Sequence, residues 1–113
     1  MIVDYRAYTL RTGTTKQFLD LFDNVGLPIQ QKILGNFIAM FQQEFGNPNQ
    51  VIHLWGYKDI KDREVRRAKC AADPNFQSYV KEAREFIISQ DVRLLKPTPS
   101  SFNSLTNKEL KWN

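Results

Sequence analysis

His53 is the only histidine of the 113 residues, and Trp55 and Tyr57 follow it at alternate positions. On an extended chain that spacing puts all three on one face. An imidazole is suited to proton transfer, and an indole and a phenol to stacking an aromatic ligand. Arg6 and Tyr8 form a second pair at the same spacing. A guanidinium beside a phenol suits an anionic group. Arg63, Arg66, Arg67 and Lys69 make a basic group further along, with Arg63 and Arg67 one helical turn apart. Each set also has a plainer explanation. His53, Trp55 and Tyr57 can be a packed aromatic face with His53 hydrogen-bonded to a neighbour. Arg6 can be half of a buried or interfacial ion pair with Asp4. The basic group, diluted by Asp59, Asp62 and Glu64, reads mostly as a solvated helix face, with Arg63 best placed to reach inward.

Other chemistries lack their residues. No metal-spaced ligand set, glycine-rich phosphate loop or cofactor fingerprint is present, so no cofactor and no metal are expected. Cys70 is the single cysteine; it reads as a small buried residue and, having no disulfide partner in the chain, favours a reducing compartment. A formal charge of +4 permits anionic partners without demanding them, and a nucleic-acid partner would want more charge with exposed aromatics. The start, Met1-Ile2-Val3-Asp4-Tyr5-Arg6, carries charges where a signal peptide needs an apolar run, and no stretch is long enough to span a bilayer. The expectation is a cytoplasmic protein with neither nucleic-acid nor membrane partners.

The elements that must position these residues can be read from periodicity. Asn49–Lys58 is β-branched and aromatic between turn formers, and reads as a strand covered on both sides. Ile2–Arg11 alternates as an earlier strand, with Val3, Tyr5, Ala7 and Thr9 on one face. Thr14 or Thr15 is placed to cap a helix carrying Phe18, Leu21, Phe22 and Val25, which Gly26-Leu27-Pro28 interrupts; a short second piece runs from Pro28 to about Lys32. Ile33–Phe45 fits both helix and strand; Gly35 and its β-branched and aromatic content favour a strand, with Phe37 and Phe41 sharing a face. Asp59 and Asp73-Pro74 mark two helix starts, the second helix bearing Phe76, Tyr79, Val80, Ala83 and Ile87. Asp91–Lys96 is a short last strand.

This order is β-α-β-β-α-β, the ferredoxin-like arrangement: an α+β fold with a four-stranded antiparallel sheet and two helical segments on one face. Residues 1–99 form the domain and 100–113 a polar tail in which Phe102, Leu105 and Trp112 are the large apolar residues. Helices on one face leave the other bare, although strands two and three are apolar on both. A second copy, sheet against sheet, is the economical cover, with Phe102 or Trp112 reaching across.

Several segments resemble the NIPSNAP family. Tyr5-Arg6-Ala7-Tyr8-Thr9-Leu10-Arg11-Thr12-Gly13 is similar to its opening, and Asn49-Gln50-Val51-Ile52-His53-Leu54-Trp55-Gly56-Tyr57 to its most recognisable motif. Asp62–Lys69 and Asp73-Pro74-Asn75-Phe76 resemble the family's next segment, with Phe76 where tryptophan is expected. The resemblance covers about residues 2–99. It implies a dimeric α+β barrel, shared with small monooxygenases of antibiotic biosynthesis and with haem-degrading enzymes, and it implies little about chemistry. Eukaryotic relatives are linked to mitochondria and vesicle traffic; without a transit peptide, this chain resembles a bacterial-type cytoplasmic protein.

Two functions are expected. The first is a homodimeric module that binds a small apolar or aromatic ligand, or a partner, without catalysis. The second is a cofactor-independent oxygenase or isomerase acting on an aromatic or apolar small molecule. If the first and third strands are neighbours, Arg6, Tyr8, His53, Trp55, Tyr57 and Arg63 border one pocket. A filled core at His53 and Trp55 favours the first function and an open cavity there the second.

Overall fold

A computed structural model describes residues 1–106. The chain runs β1 (Ile2–Leu10), α1 (Thr15–Leu21), a π-helical turn (Phe22–Gly26), α2 (Leu27–Leu34), β2 (Asn36–Gln42) and β3 (Gln50–Tyr57). It continues through α3 (Ile60–Ala72), α4 (Pro74–Ala83), β4 (Ile87–Leu95) and α5 (Pro99–Thr106). The sheet order is β2-β3-β1-β4, with every neighbouring pair antiparallel. This is the expected ferredoxin-like α+β fold, with β3 interior.

The core lies between the sheet and the helices. Leu10, Val51, Trp55 and Tyr57 from the sheet pack with Phe18, Phe22, Leu34, Cys70 and Tyr79 from the helical layer. Asp59 and Asp73 both cap as expected: Asp59 Oδ1 accepts from the Asp62 amide at 2.8 Å, and Asp73 Oδ1 from the Phe76 amide at 3.0 Å. Thr14 stands at the start of α1, but its hydroxyl donates to the Arg11 carbonyl at 2.7 Å and caps nothing.

Three boundaries differ from expectation. Gly26-Leu27-Pro28 does not break the helix. The chain stays helical through the π turn, and Pro28 falls at the junction, in the first turn of α2. Ile33 and Leu34 then end α2 and do not begin a strand. Gly35 turns the chain at φ 90°, a conformation glycine adopts without penalty. Arg66 reaches the Ile33 and Leu34 carbonyls, at 3.5 and 3.4 Å. An irregularity between Phe37 and Ala39 also parts residues expected on one face. Phe37 pairs with Trp55 on the helix side and Phe41 with Ile52 on the opposite side. Finally, β4 begins at Ile87, not Asp91, because the Arg11 amide bonds the Phe86 carbonyl at 2.8 Å and draws the chain into the ladder.

The described molecule measures 38 × 35 × 20 Å, and 20 Å is the thickness of one helical layer on one sheet. β3 is therefore not covered equally on its two faces: His53, Trp55 and Tyr57 are buried, whereas Ile52 and Leu54 are half-buried. Phe41 remains 53% exposed. One end of this open face is bordered by the chain's own C-terminal segment, where Pro97 and Leu105 lie beside Val3, Ile38 and Leu54. The start of the expected tail is thus helical. Its expected anchors, the Phe102 side chain and Trp112, lie outside the described residues.

Candidate functional site

The β1–β3 register pairs Arg6 with His53, Tyr8 with Val51 and Asp4 with Trp55, and β4 adds Gln90 opposite Tyr8. Cross-strand partners share a face, so Arg6, Tyr8 and His53 all rise toward the helices. There they border a cavity of about 200 Å³. Its helical side is Gln30 of α2, Arg67 of α3, and Phe76, Tyr79, Val80 and Ala83 of α4, with Arg84 and Ile87 beside them at the turn into β4, and it is partly open to solvent.

His53 is fixed in one protonation state. The Trp55 indole N–H, which can only donate, points at His53 Nδ1 at 2.9 Å. Nδ1 is therefore the acceptor and the ring proton sits on Nε2, which is buried with no hydrogen-bond partner among the described residues. Burial first, then the charges of Arg6 and Arg67, push the imidazole pKa down to about 3. Tyr8 and Phe22 pack edge-on against the ring, with centroids 4.9 and 5.5 Å away. At neutral pH the imidazole is a hydrogen-bond donor and not a base.

Arg6 is anchored on both sides. Its Nε donates to the Tyr8 hydroxyl at 3.0 Å and a terminal nitrogen to Asp4 Oδ2 at 3.3 Å. Burial pulls its pKa down, but Tyr8 and Asp4 more than offset this, and the guanidinium is held charged. Asp4 is fully buried and also meets Arg63 Nε at 3.4 Å; Arg63 in turn reaches Glu64 at 2.7 Å. The ion pair considered as an alternative for Arg6 thus exists alongside the cavity.

Of the six residues expected to border one pocket, Arg6, Tyr8 and His53 line the cavity, and Trp55, Tyr57 and Arg63 do not. Trp55 is fully buried, packs on Phe37 at 5.1 Å between centroids, and orients His53 from behind. Tyr57 is buried, and that burial pushes its phenol up to about 12, against a smaller lowering by Arg67. Arg63 belongs to the Asp4 cluster. α3 is also not a solvated basic face. Arg63, Arg66, Arg67 and Cys70 follow the i, i+3, i+4, i+7 rule of a buried stripe, with Arg66 8% exposed and bound to Asp62 at 2.8 Å. That spacing is the one signal the sequence carries for Arg67. α3 leaves its large apolar residues, Ile60 and Val65, exposed. Burial pushes the Cys70 thiol up to about 11, so it is no nucleophile. Among the described residues no group of three or more His, Cys, Asp or Glu side chains is placed to hold a metal ion.

Fold and cavity together define a ferredoxin-like α+β domain with a partly open cavity between its sheet and its helices. The family model NIPSNAP matches residues 3–102, and the chain belongs to the NIPSNAP family. The match runs three residues past the boundary expected at Pro99. A NIPSNAP family protein from Agrobacterium tumefaciens (ATU5224) is 40% identical, with 87% of this chain and 86% of that one covered and a TM-score of 0.84. An uncharacterized NIPSNAP-like domain protein from Burkholderia xenovorans is 37% identical over 87% and 85%, also at 0.84. A putative antibiotic biosynthesis monooxygenase from Nitrosomonas europaea shares the fold at a TM-score of 0.65, 86% and 98% coverage and 11% identity. No curated protein matches the chain. These similarities indicate no specific activity. Among the described residues no helix is long and apolar enough to cross a membrane.

Proposed function

We propose that the protein is a homodimeric, cytoplasmic small-ligand-binding module whose occupant sits in the cavity beside Arg6, Tyr8 and His53. The observation that carries this reading is the make-up of the cavity. Polar groups converge from sheet and helices opposite a wall of Phe76, Val80, Ala83 and Ile87, the mixture that small-molecule sites use. Binding without catalysis is favoured by the groups the lining lacks. It holds no Asp, Glu, Cys or Lys among the described residues, and the His53 lone pair is occupied. Burial also holds the Tyr79 phenol well above its usual range. No carboxylate, thiol, amine or free imidazole lone pair is then available as a base at neutral pH.

The oxygenase or isomerase reading comes second and has one observation in its favour: space adjoins His53, whose Nε2–H is a neutral donor able to polarise a carbonyl. Homodimer formation is supported by the uncovered sheet face, and cytoplasmic residence by a lone buried cysteine. The test is mass spectrometry of small molecules carried through native purification. The unmodified protein is expected to retain a compound that Val80→Trp, which fills the cavity, does not. An unmodified protein that carries nothing, alongside a Val80→Trp variant of equal stability, speaks against an internal site.

A further inference from the structure

We propose that the cavity takes a small organic carboxylate, with its carboxylate at Arg67 and its apolar body against Phe76, Val80 and Ile87. This deepens the ligand-binding reading and rests on it. The argument begins with charge. Arg6 is met by Asp4 at 3.3 Å, Arg63 by Asp4 at 3.4 Å and Glu64 at 2.7 Å, and Arg66 by Asp62 at 2.8 Å. Arg67 and Arg84 differ from these. Both line the cavity, and among the described residues neither has a carboxylate within 4.0 Å. Arg67 is half-buried, and its charge lowers the pKa of three surrounding groups, His53, Tyr57 and Cys70. A cation in that position without a counterion is costly, and a bound anion removes the cost.

His53 adds a second requirement. Its Nε2–H is buried and unpartnered, and an unmade bond at a buried donor is unfavourable. Trp55 prevents the ring from resolving this by moving its proton to Nδ1. A carboxylate is acceptor-only and has lone pairs enough for a guanidinium and an imidazole together.

The rest of the cavity argues for an organic anion. Its volume of about 200 Å³ is more than a bare oxyanion fills. Phosphate would satisfy Arg67 but leave Phe76, Val80 and Ile87 facing water.

The experiment is isothermal titration calorimetry on the full chain at fixed ionic strength. The probes are benzoate and isovalerate, their neutral counterparts benzamide and isovaleramide, and inorganic phosphate. At least one acid is expected to bind, one per chain, roughly tenfold or more tighter than its amide. Arg67→Gln is expected to erase that preference, and Arg67→Lys, which keeps the charge, to retain part of it. If Arg67→Gln fails to fold, Arg84→Gln at an exposed position serves instead, and is expected to weaken acid binding roughly twofold. Amides binding as well as acids would overturn the carboxylate assignment and leave the ligand-binding reading standing. Binding of neither acids nor amides would overturn both. Preferential phosphate binding would overturn the organic part, and an acid preference unchanged in Arg67→Gln would overturn the role of Arg67.

Discussion

Trp55 and His53 act as a pair: one indole N–H fixes the tautomer, and burial beside two arginines keeps the ring neutral. The pair makes stability depend on pH. In the unfolded chain the imidazole takes its proton near pH 6.5, but in the folded chain only near pH 3. Between those values the unfolded state binds more protons, so stability rises with pH. The contribution is complete above about pH 6.5 and is lost as pH falls toward 3, by up to about 1.4 kcal/mol per unit. Urea unfolding between about pH 7 and about pH 4.5 should show that slope, and His53→Gln should flatten it. Asp4 is the other decisive residue. It is fully buried against two guanidinium groups, so Asp4→Ala leaves both without their shared partner. The expected loss is about 3–5 kcal/mol by chemical denaturation. The grouping of Arg6, Tyr8 and His53 was legible in the sequence because strand alternation and neighbouring strands suffice to bring them together. Arg67 could not be placed with them, because its direction depends on how α3 is rotated on the sheet.

At the scale of elements, the π turn brings the helical backbone close to α4. A Cβ on Gly26 would lie 2.4 Å from Tyr79 Cζ, and Tyr79 is a buried ring lining the cavity. Gly26→Ala should therefore destabilise by about 1–3 kcal/mol and shift Tyr79, giving a lower melting temperature and a perturbed tyrosine signal in near-ultraviolet circular dichroism. Glycine is required here for space and not for an unusual φ. The starts of α3 and α4 were legible because a capping aspartate acts locally, on an amide three residues on. The end of α2 was not. Ile33 and Leu34 have strand-forming neighbours, and what keeps them helical includes Arg66, more than thirty residues away. The irregularity after Phe37 left no signal either, since it moves Phe41 to the opposite face without changing the apolar pattern.

Among the described residues the molecule is two layers thick with one face of its sheet incompletely covered, bordered at one end by Pro97 and Leu105. Half-buried Tyr5, Ile52 and Leu54 and exposed Phe41 lie on that face. Leaving such surface in water forfeits roughly 25 cal/mol for each Å² that a second copy would bury. Sedimentation equilibrium at low-micromolar concentration is expected to give twice 13.2 kDa, and Ile52→Asp to shift the mass toward the monomer. A folded 13.2 kDa monomer in the unmodified protein would end the dimer proposal. The cavity lies on the other side of the sheet and does not depend on that outcome. Its role as a ligand site is tested most directly by a crystal structure of the protein soaked with benzoate. Density is predicted between Arg67 and the Phe76–Val80 wall, within reach of His53 Nε2. A cavity closed by its own side chains, with benzoate absent or bound only at the surface, would contradict it.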